Sequence, residues 1–154
     1  GSPKVFAYAK DTLERYLKSH SRCGVFRRPD WVPTRLLDLR SLSSGTTPTS
    51  QVRLVETSDT HVRGRMQHSH CWGGDESWVT TNNNIDDLYQ SCPVSKFPCI
   101  FQQAMSTILS LGINNIWIDC YCIIQKDEND WEHEASEMHM VYTNYIINIG
   151  AANS

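Results

Sequence analysis

The sequence contains no apolar run that approaches the length of a membrane span, and no secretory signal peptide is visible in it. An excess of charge of one sign is also lacking, because 14 basic side chains stand against 17 acidic ones and give a formal net charge of -3. The surface therefore offers no broad basic footprint for a nucleic-acid backbone, although arginines make the first third of the chain locally basic. These absences predict a cytoplasmic, globular protein that contacts no membrane and does not bind nucleic acid.

The sequence also lacks the ligand spacings that are typical of zinc sites. His68, His70 and Cys71 lie close together and Cys120 is near Cys122, but neither group has the C-x-x-C or H-x-x-x-H spacing that presents two ligands from one turn. We therefore predict no metal site. Six cysteines would suffice for three disulfides, yet reduced thiols are favoured, because the chain shows no secretory signal and is long enough to form a core without them.

The most informative segment covers residues 112–150 and is typical of a strand, a loop, a helix and a second strand. Apolar residues between 113 and 118 form a short run that ends at Asp119, as in a strand covered on both faces. Residues 145–149 form the second apolar strand, so the segment predicts a parallel βαβ unit. Between the strands, apolar residues recur at helical steps and predict a stripe that faces the sheet: Trp131, Ala135, Met138, Tyr142 and Tyr145.

The polar residues of this predicted helix have different expected roles. Asn129 and Glu132 are its predicted cap. Glu132 and Glu137 are expected to point to water, whereas helical geometry places Glu134 on the flank of the stripe that faces the sheet. A carboxylate at such a place loses hydration, which costs free energy unless a donor or a ligand compensates, so Glu134 is a candidate functional group. A structural role, in which Glu134 reaches outward or pairs with Lys126, stays open, and periodicity alone favours it.

The first sixty residues predict an extension in front of the parallel sheet. Helical spacing of apolar residues over 5–23 predicts a helix that packs outside the sheet. Residues 35–39 and 52–55 flank a stretch rich in serine, threonine and glycine, which predicts a hairpin. We expect residues 1–60 to form this helix and a small N-terminal β-appendage, and residues 61–154 to form the core, with both in one compact unit. The sequence ends just after a predicted strand, which favours an excised domain.

Chemically competent side chains are predicted to meet at one edge of the sheet. Residues 65–71 are a predicted strand, and residues 98–111 are a predicted helix that Gly112 ends. Ligands of open parallel sheets bind outside the carboxyl ends of the strands, so the segments that follow these ends should converge on one crevice. Each side chain there also has a plain structural role, as a cap, a buried thiol or a lid over the core. The candidate site residues are Ser69, His70, Cys71, Trp72, Asp119, Trp131 and Glu134.

Several of these motifs together resemble the fungal heterokaryon-incompatibility (HET) domain. Upstream, residues 32–38 and 52–57 resemble segments that usually precede that domain, so the resemblance covers nearly the whole chain. The departures are Gln67-His68, where the family usually has an apolar strand, and Cys120-Tyr121, where it often has Ser-Leu. The matching segments are Ser69-His-Cys-Trp-Gly-Gly74, Leu111-Gly-Ile113, Ile116-Trp-Ile-Asp119, Cys122-Ile-Ile-Gln125, and Asp130-Trp131 with Glu134-Ala135, Met138 and Tyr142.

The resemblance implies a domain of fungal nonself recognition and innate immunity, whose activation leads to programmed cell death. It also implies a fold similar to Toll/interleukin receptor (TIR) domains, a flavodoxin-like/TIR-like parallel sheet with flanking helices. Some TIR domains cleave NAD, and the catalytic ones carry a glutamate three positions after a tryptophan on a helix. Trp131-Glu-His-Glu134 has this W-x-x-E pattern. The resemblance and the helical periodicity thus agree on Glu134 and together favour a functional role.

The implied reaction is hydrolysis of NAD to nicotinamide and ADP-ribose products, with NAD as the substrate and no cofactor. Nicotinamide leaves from an already activated pyridinium, so the main demand is to stabilise the oxocarbenium-like ribose, which a carboxylate does electrostatically. Glu134 would be this catalytic carboxylate. Trp72 would stack on nicotinamide or adenine, while His70 and Asp119 would position ribose or phosphate.

Two other functions stay open. The main alternative is a non-enzymatic signalling or adaptor module that self-associates, because W-x-x-E on a helix is a weak motif by itself; either function is compatible with a homo-oligomer that forms on activation. The other is a cysteine hydrolase that uses Cys71, His70 and Asp119. We disfavour the hydrolase, because neighbouring strand residues point to opposite faces and His70 then cannot serve Cys71 as a base.

Overall fold

A computed structural model describes residues 3–19, 28, 31–42, 50–58, 66–70 and 79–150 as a mixed α/β structure. Two short 3-10 turns lie at Arg40–Leu42 and Val94–Lys96. Among the residues described, no helix is long and apolar enough to cross a membrane. In chain order the elements are α1 Pro3–Ser19, β1 Arg35–Asp38, β2 Gln51–Glu56, β3 Met66–His70, α2 Ile85–Gln90, β4 Cys92–Pro93, α3 Cys99–Ser110, β5 Asn115–Ile118, α4 Asp119–Cys122, α5 Glu128–Asn144 and β6 Ile147–Gly150.

The strands form one mixed sheet in the order β4-β2-β1-β5-β3-β6. β3 is parallel to β5 and to β6, whereas β1 is antiparallel to β5 and to β2, and β2 is antiparallel to β4. The α/β class is confirmed, but the predicted flavodoxin-like/TIR-like parallel sheet is wrong, because the strands from β4 to β5 form an antiparallel array. This array arises because β1 pairs with the edge of β5 that β3 does not occupy. β2 then pairs with the other edge of β1 through the hairpin.

The predicted hairpin of β1 and β2 is confirmed, but it is not an appendage. Leu37 of β1 pairs with Leu54 across the hairpin and with Ile116 of β5 on its other side. All four residues of β1 are buried, and Leu36 and Leu37 have no exposed surface. β1 is therefore an interior strand, and the hydrophobic core of the protein runs through it.

The predicted elements of the C-terminal half are present, with one change in connection. α3 buries Phe101, Met105 and Ile108 on one side, and Gly112 follows it with a φ of +78°, a left-handed conformation that glycine adopts without steric cost. β5 is a buried strand, as predicted, and a helical turn, α4, replaces the expected loop after it. β6 pairs with β3 and not with β5, so the connection through α5 passes over β3.

The helix α1 packs against α3, on the outside of the sheet, as the sequence predicted. Ala9 and Leu13 are its partly buried contacts with the core. Its described part ends at Ser19, so residues 20–23 of the predicted helix lie outside the described residues. α1 thus contributes one apolar stripe and leaves its other faces to solvent.

Replacing Leu37 by alanine is expected to lower the free energy of unfolding by about 3 kcal/mol, because removing a fully buried side chain leaves a cavity in the middle of the sheet. The matched control is Gln51→Ala in β2, whose exposed side chain should contribute less than about 0.5 kcal/mol. Urea unfolding followed by circular dichroism measures both. A loss below about 1 kcal/mol for Leu37→Ala would show that β1 is not a core strand.

Candidate functional site

The register of the sheet brings the carboxyl ends of three strands to one edge. Ser69 of β3 pairs with Ile118 of β5 and with Ile149 of β6. His70 is one step further along β3, and Asp119 follows Ile118 directly. The backbones of Ser69, His70 and Asp119 therefore meet at this edge, which we call the carboxyl edge, and this is where the sequence predicted the crevice.

The remaining predicted groups at this edge are placed as follows. Cys71 and Trp72 lie outside the described residues. Asp119 is 5% exposed, and its Oδ1 accepts a hydrogen bond from the Cys120 amide at 2.8 Å, which holds the carboxylate against its own turn. Burial raises the pKa of the Cys122 thiol to about 12, so this thiol stays protonated and unreactive. Within the described ranges, no group of three or more histidine, cysteine, aspartate or glutamate side chains could hold a metal ion.

The helix α5 begins at a different cap from the predicted one. Its N-cap is Asp127, whose Oδ1 accepts a hydrogen bond from the Asp130 amide at 3.1 Å. The Asn82 amide group donates to Oδ2 of the same carboxylate at 3.0 Å, and these donors hold the pKa of Asp127 below its usual value. The predicted cap by Asn129 and Glu132 is therefore wrong, because the helix already begins at Glu128 and Asn129 lies within its first turn.

The buried face of α5 is not the predicted apolar stripe. Trp131 and Tyr142 of that stripe are 57% and 44% exposed, whereas Glu134 is 2% exposed. Most inner positions lie one residue before a member of the predicted stripe, so the buried face is rotated by about 100° from the expected orientation. Met138 of that stripe still packs against the core. The inner face is polar in the first half of the helix and mixed in the second half. Its buried positions are Glu134, Met140, Val141 and Asn144, and Asp130 and Glu137 are half-buried.

Residues 28 and 31–35 donate hydrogen bonds to the polar side chains on the inner face of α5. Their contacts follow the helix from its end to its start, so this segment runs antiparallel to α5. Near the end of the helix, the Arg28 amide donates to Oδ1 of Asn144 at 2.7 Å. Two turns earlier, Nε1 of Trp31 donates to Oε2 of Glu137 at 3.1 Å, so Glu137 does not point freely to water as expected. At its start the helix meets Arg35. We call this row of contacts the polar seam.

Arg35 is the centre of the polar seam. Its Nε donates to the carbonyl of Cys122 at 2.8 Å, and its Nη2 donates to both carboxylate oxygens of Asp130, at 2.7 Å to Oδ2. The same Oδ2 accepts the Ile124 amide at 2.7 Å. Nη2 also approaches Oε1 of Glu134, but at 3.4 Å. Asp130 therefore receives the short hydrogen bonds of Nη2, and Glu134 receives the longest and weakest contact.

Glu134 and Asp38 are both buried carboxylates, but their surroundings shift their pKa values in opposite directions. Burial raises the pKa of Glu134, and the Thr34 side chain and Arg35 offset only part of this effect. Burial acts in the same way on Asp38, yet Arg40 donates to it through its backbone and its guanidinium at 2.7 to 3.1 Å, and the pKa of Asp38 is lowered. The charge of Asp38 is thus compensated by its partner, whereas that of Glu134 is compensated only in part.

Arg35 is the residue of this site that sequence reasoning missed. Periodicity singled out Glu134 correctly as an inward-facing carboxylate and suggested Lys126 as its structural partner, but the cation that contacts it comes from β1, 99 positions earlier. A signal was available, because Arg35 opens a predicted strand that continues with Leu36 and Leu37. A charged side chain in a buried strand requires a partner of opposite charge.

Trp131 and Glu134 face different surroundings although they lie three positions apart. A shallow cavity of about 330 Å³ lies over the first turn of α5. Trp131 lines this cavity, together with Lys126, Asp127, Glu128 and Glu132, and Glu134 is not among the lining residues. The indole and the buried carboxylate therefore do not share this cavity.

A family model described as heterokaryon incompatibility protein (HET) matches residues 67–154, more than half of the chain. No curated protein and no solved structure matches the chain. The matched region contains the carboxyl edge and α5, so Asp119, Trp131 and Glu134 lie inside it. Arg35, which contacts Glu134, lies before it.

Replacing Glu134 by glutamine is expected to stabilise the protein at pH 7. A carboxyl group whose pKa is raised on folding destabilises the folded state once it is ionised, so its neutral replacement should unfold at a higher urea concentration. The gain should vanish as the pH falls through 4.5, the ordinary value for glutamate, because the wild-type side chain is then protonated in both states. Urea midpoints between pH 3 and pH 8 provide the measurement.

The comparison variant is Asp38→Asn, which we expect to lower the free energy of unfolding at pH 7. This change weakens hydrogen bonds from a charged donor and should cost on the order of 1 kcal/mol at pH 7, a value reduced by the exposure of Arg40. Because the pKa of Asp38 is lowered on folding, its contribution is complete above 3.8 and is lost as the pH falls through the folded-state value. If both substitutions destabilised the protein equally, Glu134 would be an ordinary structural ion-pair partner.

Proposed function

The chain belongs to the heterokaryon incompatibility (HET) family, and from this premise we propose that it hydrolyses NAD to nicotinamide and ADP-ribose products, with Glu134 as the catalytic carboxylate. Membership of the family indicates a role in heterokaryon incompatibility and cell death. NAD hydrolysis is a chemistry suited to that role, because it removes a metabolite that every cell requires. The reaction was first expected from a resemblance to TIR domains, and because their parallel sheet is not found here, the proposal rests on Glu134 and its surroundings.

The observation that carries the proposal is the incomplete compensation of Glu134. The side chain is 2% exposed, and its contact with Arg35 is 3.4 Å long. Burying a carboxylate without strong partners costs free energy, and such groups occur preferentially at functional sites. A positive charge that develops beside Glu134 in a transition state would supply the missing partner, so the interaction would be stronger there than in the ground state.

The reaction can be written with these groups. The bond between C1 of the ribose and the pyridinium nitrogen breaks, and its electron pair neutralises nicotinamide. Positive charge then lies on the ribose, where the Glu134 carboxylate stabilises it. Water adds to C1 and releases a proton, which gives ADP-ribose. No cofactor takes part in any step.

The other predicted binding residues support the proposal to different degrees. Ser69, His70 and Asp119 meet at the carboxyl edge through their backbones, which suits contacts to ribose or phosphate. Trp131 is exposed and lies about 60° around the helix from Glu134, so a role for it would be at the rim of the substrate site. Cys71 and Trp72 stay predicted substrate contacts. NAD is the proposed ligand in each case.

A second candidate, a self-associating adaptor module, is favoured by the outer face of α5. Trp131 and Tyr142 are large aromatic side chains, both more than two-fifths exposed, and they lie on the same face of one helix. Aromatic residues are enriched in interfaces between proteins. A homo-oligomer formed through this face is compatible with an enzyme as well as with an adaptor, so association and NAD turnover require separate experiments.

Replacing Glu134 by glutamine should reduce nicotinamide release from NAD by at least about 100-fold, because the amide keeps the shape of the side chain but has no charge to stabilise the ribose cation. Concentrated protein is incubated with NAD, and nicotinamide, ADP-ribose and cyclic products are separated by chromatography. Asp86→Asn is the matched control, since this carboxylate is exposed on α2 and should leave turnover unchanged. Equal turnover by the wild type and the Glu134 variant would reject the assignment.

Replacing Trp131 by alanine should weaken self-association by about tenfold, as expected for an aromatic residue at the centre of an interface. Sedimentation velocity over a range of protein concentrations measures the association. Tyr8→Ala is the control, because Tyr8 is 70% exposed on α1, a different helix. Oligomers that form without any NAD product would support the adaptor, and unchanged association of the Trp131 variant would exclude this face of α5.

A further inference from the structure

We propose that Arg35 is a positioning residue for Glu134, and that Asp130 controls how much of its positive charge Glu134 receives. The inference rests on the proposed function for its catalytic consequence. Its structural part concerns three side chains that come from two elements, β1 and α5. The three lie together at the carboxyl edge, because Arg35 is the first residue of β1 and Asp130 and Glu134 lie one turn apart on α5.

The guanidinium of Arg35 is held in a fixed place. It is 4% exposed, and its bonds to the Cys122 carbonyl and to Asp130 fix both its position and its plane. Burial lowers the pKa of Arg35, but the hydrogen bond and the charge of Asp130 outweigh it and raise the pKa above its usual value. The arginine is therefore a permanent positive charge whose location the remainder of the fold determines.

The distribution of bonds shows that Asp130 and Glu134 compete for this charge. Nη2 lies 2.5 and 2.7 Å from the two carboxylate oxygens of Asp130, but 3.4 Å from Oε1 of Glu134. One guanidinium and two carboxylates carry a net formal charge of -1 in a region withdrawn from water. Such a cluster favours a ligand or a transition state that carries a positive charge at Glu134. The chemical class of ligand that follows is a cation, which includes a pyridinium nucleotide.

The competition makes two substitutions act in opposite directions. Arg35→Met removes the cation, so the pKa of Glu134 should rise further. Asp130→Asn removes a neighbouring negative charge and frees Nη2 to turn toward Glu134, so the pKa of Glu134 should fall. A purely structural ion pair would give a loss of stability in both variants without opposite titration shifts. The groups that face Glu134 or Arg35 in this balance are Thr34, Tyr89, Cys122, Asp130 and His133.

The titration of Glu134 can be measured directly in the full chain. Glutamate labelled with carbon-13 at the side-chain carboxyl is incorporated, and the signal of Glu134 is identified by its loss in Glu134→Gln. We expect the titration midpoint of that signal to move to higher pH in Arg35→Met and to lower pH in Asp130→Asn. In Glu132→Gln the midpoint should change little. Arg35→Lys, which keeps the charge but not the planar fork, should fall between the wild type and Arg35→Met. The acid limb of nicotinamide release should move in the same directions.

The outcomes separate this inference from the proposed reaction. Opposite titration shifts without nicotinamide release would support the shared charge and reject NAD hydrolysis. Release of nicotinamide with shifts of the same sign, or with no shift, would overturn the role of Arg35 and leave the reaction in place. If Arg35→Met does not fold, Asp130→Asn and Arg35→Lys carry the test, because an unchanged midpoint in both would also overturn the inference.

Discussion

One guanidinium serves two carboxylates at the carboxyl edge, and this shortage of positive charge is the constraint on which the site depends. A buried charge is tolerated only with partners close by, and a pair held at 2.7 Å meets that condition while a contact at 3.4 Å does so poorly. The negative charge of Asp130 is therefore compensated by Arg35, whereas that of Glu134 is compensated only in part. The Cys122 carbonyl also binds Arg35, and this bond holds the guanidinium in place independently of either carboxylate. The difference between the two carboxylates is therefore built into the fold.

The unusual position of β1 in the sheet follows from the same contact. Arg35 reaches α5 only because β1 lies beside β5, antiparallel to it, so that the start of β1 is at the edge where β5 ends. In a wholly parallel sheet without this strand, the inner face of α5 would lose its contact with Arg35. The match to the HET family starts at residue 67, yet the side chain that compensates its buried acids comes from residue 35. The hairpin is thus part of the site as well as of the core.

Local patterns predicted the elements well and predicted their orientation poorly, for a physical reason. The run of apolar residues in β5, the helical spacing in α3 and the hairpin of β1 and β2 depend on neighbours in sequence, and all three are confirmed. The rotation of α5 depends on residues about a hundred positions away. Its sequence carries two stripes one residue apart, and an apolar stripe is normally the buried one. Here the polar stripe is buried, because residues 28 and 31–35 supply donors for it.

The polarity of the inner face of α5 is itself an argument about function. Replacing a buried ionic cluster by apolar side chains of similar size is often neutral or stabilising, so stability alone does not require Asp130 and Glu134 to be acidic. Asp38 illustrates the alternative, since its bonds to Arg40 lower its pKa and make the charge a stabilising feature. Glu134 has the reverse shift, so its charge opposes folding. A side chain that destabilises the folded state is best explained by a role in binding or catalysis. The surroundings of Glu134 favour a positively charged ligand or transition state as the group that it binds.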